Sequence, residues 1–126
     1  ILVCLVGSEM CIRDRAGSDF FLMPSEFEPC GLNQIYSMAY GTLPIVRSVG
    51  GLKDSVNDYD EDSEVATGFA FEEPTPQALL AVLHRSLLLY AQTPSEIKRV
   101  QLYAMQQDFS WEDAAKEYLA MYHTAF

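Results

Sequence analysis

Basic residues are scarce in this chain. Eight lysines and arginines stand against 18 aspartates and glutamates, giving a formal net charge of −10 at pH 7. A surface of that sign repels phosphate backbones and anionic lipid headgroups, which argues against nucleic acid and membrane surfaces as partners. Cysteine is sparse too: Cys4, Cys11 and Cys30 are odd in number and form no Cys-x-x-Cys pair, as expected of a reduced, cytoplasmic compartment. Apolar runs fall well short of the roughly 20 residues that cross a bilayer. The apolar stretch 1–6 lacks a basic start and a small-residue cleavage site, so it does not read as a secretory signal. Repeats, low-complexity linkers and an internal domain boundary are absent as well.

Metal-ligand patterns are equally thin. Asp58, Asp60 and Asp62 alternate as in a calcium loop, but Ser63 replaces the required glycine and Phe69 stands where the closing glutamate belongs. A solvated acidic loop over 58–64 is expected instead, with no metal. His84 and His123 fall singly on predicted helices without a partner at ligand spacing, which assigns them surface or interface roles.

What is present makes one domain at most. The 126 residues are 49% hydrophobic and 12% aromatic, against disorder and long enough for a core. The run 19–24 is nearly all apolar and closed by Pro24, as in a buried parallel strand. Residues 31–40 place Leu32, Ile35 and Ala39 at helical spacing, with Gly41 at the C-terminal cap position. A second strand spans 43–49 and ends at Gly50-Gly51, completing a βαβ unit with a parallel sheet. A helical turn over 52–57 and a third strand at 68–71 follow.

The remainder reads as helix. Thr75-Pro76 opens a segment whose Leu79, Leu80, Val82, Leu83, Leu87 and Leu88 form a wide apolar face. Thr93-Pro-Ser-Glu96 is a capping box. Ser110 caps a last helix, whose Trp111, Ala114, Ala115, Tyr118 and Tyr122 read as a buried packing stripe in preference to a ligand-stacking platform.

The most informative segment is Pro24-Ser-Glu-Phe-Glu-Pro-Cys-Gly-Leu-Asn-Gln-Ile-Tyr36. It reads as a strand end, a turn bearing a carboxylate, and a helix start at Gly31. Unpaired N–H groups at a helix start suit phosphate or sugar oxygens, and Glu28 stands three residues ahead, facing whatever is held there. Cys30 reads as a small packing residue rather than a nucleophile, because no histidine lies near it in sequence. Only Arg47 and Lys53 lie near this segment to neutralise an anion.

Five strings now stand in order: Pro24-Ser-x-Phe-Glu-Pro-Cys-Gly-Leu-x-Gln34, Tyr40-Gly-Thr-Leu-Pro-Ile-Val-Arg47, Gly50-Gly-Leu-x-Asp54, Gly68-Phe-x-Phe71 and Asp108-Phe-Ser-Trp111. Together they resemble bacterial glycogen synthase and plant starch synthase from about Ala16 onward. That resemblance implies the second half of a Rossmann-like C-terminal domain of a GT-B glycosyltransferase. It further implies a retaining glucosyltransferase that moves glucose from ADP-glucose to the non-reducing end of an α-1,4-glucan, with no metal and no cofactor.

Carried over by position, Glu28 matches the family's active-site glutamate beside the donor glucose. The resemblance assigns the backbone N–H groups of Cys30 and Gly31 to the glucosyl hydroxyls, and those of Leu32 and Asn33 to the distal phosphate. Tyr36 stands where many related transferases place a ribose-binding glutamate, which favours the glycogen synthase branch over sucrose- or trehalose-phosphate-type enzymes. Asn33 replaces a more usual threonine, a change that a backbone contact survives. Gly50-Gly51 is expected to let its loop pass close to the ligand.

By the resemblance, the lysine- and glycine-containing donor loop of the family's other domain is not in this chain, nor is the pyrophosphate-clamping basic pair from the early part of this domain. The 126 residues alone are therefore expected to be inactive and, with half a sheet uncovered, prone to aggregate. Residues 1–15 begin with Ile1 and resemble translated sequencing-adapter read-through. They are expected to be non-native, leaving 16–126 as the partial nucleotide-sugar-binding domain. The rival of a different class is a non-enzymatic α/β ligand-binding module of flavodoxin type.

Overall fold

The computed structural model describes residues 8–60 and 64–125. The apolar stretch 1–6, Cys4, and Asp62 and Ser63 of the acidic loop lie outside them. The elements run α1 (Ser8–Ala16), β1 (Phe20–Met23), α2 (Asn33–Ala39), β2 (Leu43–Arg47), α3 (Gly51–Ser55), β3 (Phe69–Phe71), α4 (Pro76–Gln92), α5 (Pro94–Met105) and α6 (Trp111–Ala125). The strands form one parallel sheet in the order β1-β2-β3. Phe20 is opposite Leu43 and Ile45 opposite Phe69. An isolated parallel bridge between Asp58 and Gly68 precedes β3.

Side chains alternate across the sheet, as the period of two requires. Leu43, Ile45, Phe69 and Phe71 join Met38, Val82, Ile97, Val100 and Ala104 in the larger core, under α2, α4 and α5. Met23 and Val46 join Leu52 and Val56 in a smaller one, against α3. Phe20 meets Phe69 and Tyr90 edge-on at centroid distances of 5.9 and 5.7 Å, the arrangement that ring quadrupoles favour.

Polar links tie the layers. Arg85 on α4 pairs with Asp58 at 2.5 Å, donates to the Tyr59 carbonyl at 2.7 Å, and lies 5.6 Å from the Phe69 ring centroid. The same Asp58 carboxylate accepts from the Ala70 amide at 2.7 Å, so this aspartate is a structural member of the β3 edge and not a freely solvated loop residue. The Tyr90 hydroxyl donates to Asp19 at 3.2 Å, and that bond, with the charge of Asp19, raises the phenol above its ordinary range.

Four expectations are corrected. The buried face of α2 consists of Gln34, Ser37 and Met38, whereas Leu32 is 54% exposed and Ala39 is also exposed. Gln34 and Ser37 donate to carbonyls of their own segment, which lets polar side chains occupy the inner face. On α4 only a narrow stripe is covered: Val82 and Ser86 are buried, and Leu80, Leu87 and Leu88 are exposed.

Thr75 does cap α4, accepting from the Ala78 amide at 3.2 Å. Thr93 makes no side-chain cap: one residue both ends α4 and opens α5, and its φ/ψ of −136°/65° departs from the extended backbone of the capping Thr75, at −122°/147°. Before α6 the Asp108 side chain accepts the Ser110 amide at 2.8 Å. The bonds from Ser110 hold its carboxyl below the usual range. The stripe of α6 lies open, with Trp111 80%, Tyr118 54% and Tyr122 60% exposed.

Candidate active site

The chain leaves the sheet at Pro24, turns through 24–32 and enters α2. Arg47, at the carboxyl end of β2, anchors the outgoing limb: its Nη1 donates to the Glu26 carbonyl at 2.8 Å and its Nε to the Glu72 carbonyl at 3.1 Å. One of the two cations expected to serve an anion is thereby committed to main-chain carbonyls. Lys53 is exposed on α3. A cleft of about 560 Å³ opens at the carboxyl ends of the strands, between Pro24, Glu26, Arg47, Phe71 and Leu79. Open parallel sheets bind ligands at this end.

Glu28 is half-buried, and its carbonyl accepts from the Gly51 amide at 3.2 Å. The two glycines explain how the chain comes so close. A Cβ on Gly50 would stand 2.1 Å from the Glu28 oxygen, and one on Gly51 would stand 2.1 Å from the Cys30 oxygen. Gly50 also has φ of +47°, a region that L side chains avoid. The close approach that the structure records for this pair is to the site loop itself.

Gln34, fully buried in the first turn of α2, faces the same loop. Its Nε2 lies 2.9 Å from the Gly31 carbonyl, 3.3 Å from the Cys30 carbonyl and 2.9 Å from Ser55 Oγ. Ser55 Oγ in turn donates to the Gly51 carbonyl at 2.6 Å. Oε1 of Gln34 is buried without a hydrogen-bond partner, a penalty of about 1–3 kcal/mol for a neutral acceptor.

The predicted contact residues fall together at this turn. Gly31 has φ of +67° and Leu32 sits in the right-handed helical region, a pairing of conformations that draws successive N–H groups toward one side. The first helical bond runs from the Tyr36 amide to the Leu32 carbonyl, so the amides ahead of it lie at the open end of the helix. Helix α2 starts at Asn33 rather than Gly31 and has 7 residues, so individual amides matter here more than a long macrodipole.

Cys30 is exposed rather than packed, because its carbonyl, not its thiol, faces the interior contacts. Asn33 Oδ1 accepts from Arg15 at 2.5 Å, and the Arg15 guanidinium lies 5.9 Å from the ring centroid of Tyr36. Tyr36 itself is 48% exposed.

The supporting residues Gln34 and Ser55 were not singled out by sequence, and Arg47 was expected to serve an anion rather than to brace the loop. The available signal was a glutamine three and four residues after Gly31 and Cys30, spaced to reach their carbonyls from the first turn. Among the described residues no group of three or more His, Cys, Asp or Glu could hold a metal, and no helix is long and apolar enough to cross a membrane.

The model of glycosyl transferases group 1 matches residues 12–99. The glycogen synthase of Vibrio atlanticus is 94% identical over 120 residues, covering 95% of this chain and 25% of that protein. That of Vibrio parahaemolyticus is 74% identical over 125 residues, covering 99% of this chain and 26% of that protein. The chain thus spans about a quarter of the length of the curated relatives it matches.

Among solved structures, the catalytic domain of starch synthase IV from Arabidopsis thaliana, bound to ADP and acarbose, superposes with a TM-score of 0.77 at 39% identity. It covers 85% of this chain and 22% of that one. Sucrose-phosphate synthase from Thermosynechococcus elongatus gives 0.61 at 28% identity, covering 90% and 27%. The parallel sheet with flanking helices is accordingly part of the Rossmann-like C-terminal domain of the GT-B fold. With the family model covering well over half of its residues, the chain belongs to the glycosyl transferases group 1.

Proposed function

We propose that these residues form the donor-binding part of a glycogen (starch) synthase, which transfers glucose from ADP-glucose to the non-reducing end of an α-1,4-glucan with retention, in the cytoplasm. The observation that carries this reading is the turn 28–33, braced at the carboxyl end of the sheet with its helix-start amides unsatisfied by the helix. The names of the similar proteins support it, as does the starch synthase structure bound to ADP and acarbose.

In this reading Glu28 lies beside the donor glucose. There its carboxylate accepts from sugar hydroxyls and stabilises the positive charge that grows on the ring as the bond to phosphate breaks. The amides of Cys30 and Gly31 meet glucosyl hydroxyls, and those of Leu32 and Asn33 meet the distal phosphate, where negative charge builds on the leaving ADP. Tyr36 lies on the ribose side. Residues 16–126 constitute the native part of the domain, 1–15 are foreign, and the chain alone is inactive.

The test is Glu28→Ala in a full-length enzyme carrying this segment, assayed for ADP release and glucan elongation from ADP-glucose. Turnover should fall by roughly 100-fold or more, the scale seen when one preorganised electrostatic contact to a transition state is removed. Wild-type turnover in that variant would remove Glu28 from the reaction.

A further inference from the structure

A buried glutamine with an unpaired oxygen calls for a reason. Gln34 is fully buried, and its Oε1 has no hydrogen-bond partner. Methionine or leucine would fill the same space without that penalty, so the amide is explained by what its Nε2 holds. The orientation follows from the surroundings: Nε2 faces two carbonyls, Gly31 at 2.9 Å and Cys30 at 3.3 Å, where an oxygen would be repelled.

The consequence lies in the peptide plane. A trans peptide fixes C=O and N–H in opposite directions. The Cys30 carbonyl shares its plane with the Gly31 N–H, and the Gly31 carbonyl shares its plane with the Leu32 N–H. One side-chain amide that grips both carbonyls therefore aims both N–H groups, away from itself and out of the loop.

Ser55 fixes the amide in turn. Its Oγ lies 2.9 Å from Nε2 and donates to the Gly51 carbonyl at 2.6 Å, while the Gly51 amide holds the Glu28 carbonyl. The chain of bonds closes on the carboxylate-bearing residue.

We infer that Gln34 is a positioning residue, which aims the Gly31 and Leu32 amides at the donor's sugar and phosphate oxygens. The inference rests on the proposed function above and adds to it the group that orients the backbone donors. Gln34 touches no substrate.

The experiment compares Gln34→Met and Gln34→Glu with wild type and Glu28→Ala in the full-length enzyme, measuring kcat, the KM for glucan, the Kd for ADP and Tm. Gln34→Met should lower kcat roughly tenfold or more and weaken ADP, because misaimed N–H donors lose transition-state charge stabilisation. The KM for glucan should not move.

Gln34→Glu supplies a pH signature that a packing role does not. Burial opposite two carbonyls raises the carboxyl's pKa. Below that pKa the neutral acid donates an O–H in place of Nε2, so kcat relative to wild type should recover as pH falls. Above it the charged oxygens repel the carbonyls, and activity should be lost.

Wild-type kcat and ADP affinity in Gln34→Met, or a loss that tracks a fall in Tm with no pH recovery in Gln34→Glu, would overturn the inference. If Glu28→Ala is inactive while Gln34→Met is not, the positioning role alone fails. If Glu28→Ala retains activity, the functional reading beneath it fails.

Discussion

The two faces of the sheet are built by different means. On one, α2, α4 and α5 bury a contiguous apolar cluster around Ile45, Phe69, Val82 and Val100. On the other, five-residue α3 covers a small cluster of Met23, Val46, Leu52 and Val56, and much of the ordering comes from polar links and glycine contacts to the loop 28–31. Apolar area is non-directional and gives stability in proportion to its extent. Hydrogen bonds and steric fit contribute less net energy but fix directions. The division places stability on the thick face and positional accuracy on the α3 side, whose Gly50, Gly51 and Ser55 brace the loop 28–31 at the carboxyl end of the sheet.

The sharpest way to break that comparison is to cut into each face. Phe69→Ala on the thick face should cost about 3–5 kcal/mol, as large aromatic truncations in cores do, and Leu52→Ala should fall nearer the lower end of about 2–5 kcal/mol. Urea denaturation of both variants measures this, and a larger loss from Leu52→Ala would reverse the assignment.

Next in size is Gly51→Ala. Its Cβ would collide with the Cys30 carbonyl, so the loop must shift. The comparison predicts a loss of turnover of about tenfold or more, as expected when reacting groups are displaced by a fraction of an ångström to an ångström, with stability falling by less than in Phe69→Ala. Equal damage to stability and no damage to turnover would make the glycine contact merely structural.

The smallest effect belongs to α6. Because Leu119 and Met121 are 58% and 60% exposed, Leu119→Ser with Met121→Ser should leave the unfolding free energy within roughly 0.5 kcal/mol per site. A larger drop, read by the same denaturation, would mean that this helix belongs to the core.

The order β1, α2, β2, β3 was legible because apolar runs bounded by Pro24, Gly41 and Gly50-Gly51 carry the strand and helix signals directly. The site loop was legible too, since Glu28 and the residues after it form a continuous string. What escaped were matters of orientation. The periodicity of α2 pointed to Leu32, Ile35 and Ala39; Ile35 does pack against the core, but Leu32 and Ala39 are exposed, and polar Gln34 and Ser37 turn inward because their hydrogen-bond partners lie there. The capping box at Thr93 failed because one residue closes one helix and opens another. The aromatic stripe of α6 is real as a pattern, yet a pattern names a face without naming what covers it. The Gln34–Ser55 link joins residues 21 apart, which no local window relates.

The strand order has a consequence for how the sheet is assembled. Among the described strands, β2 pairs with β1 and β3 with β2, each with its immediate predecessor in sequence. Loop closures stay short, which favours rapid formation. During synthesis, β2 meets β1 as soon as α2 has emerged, and β3 then extends the same edge. Register can thus be established in the order of translation, before α4 and α5, the later helices of the thick face, exist.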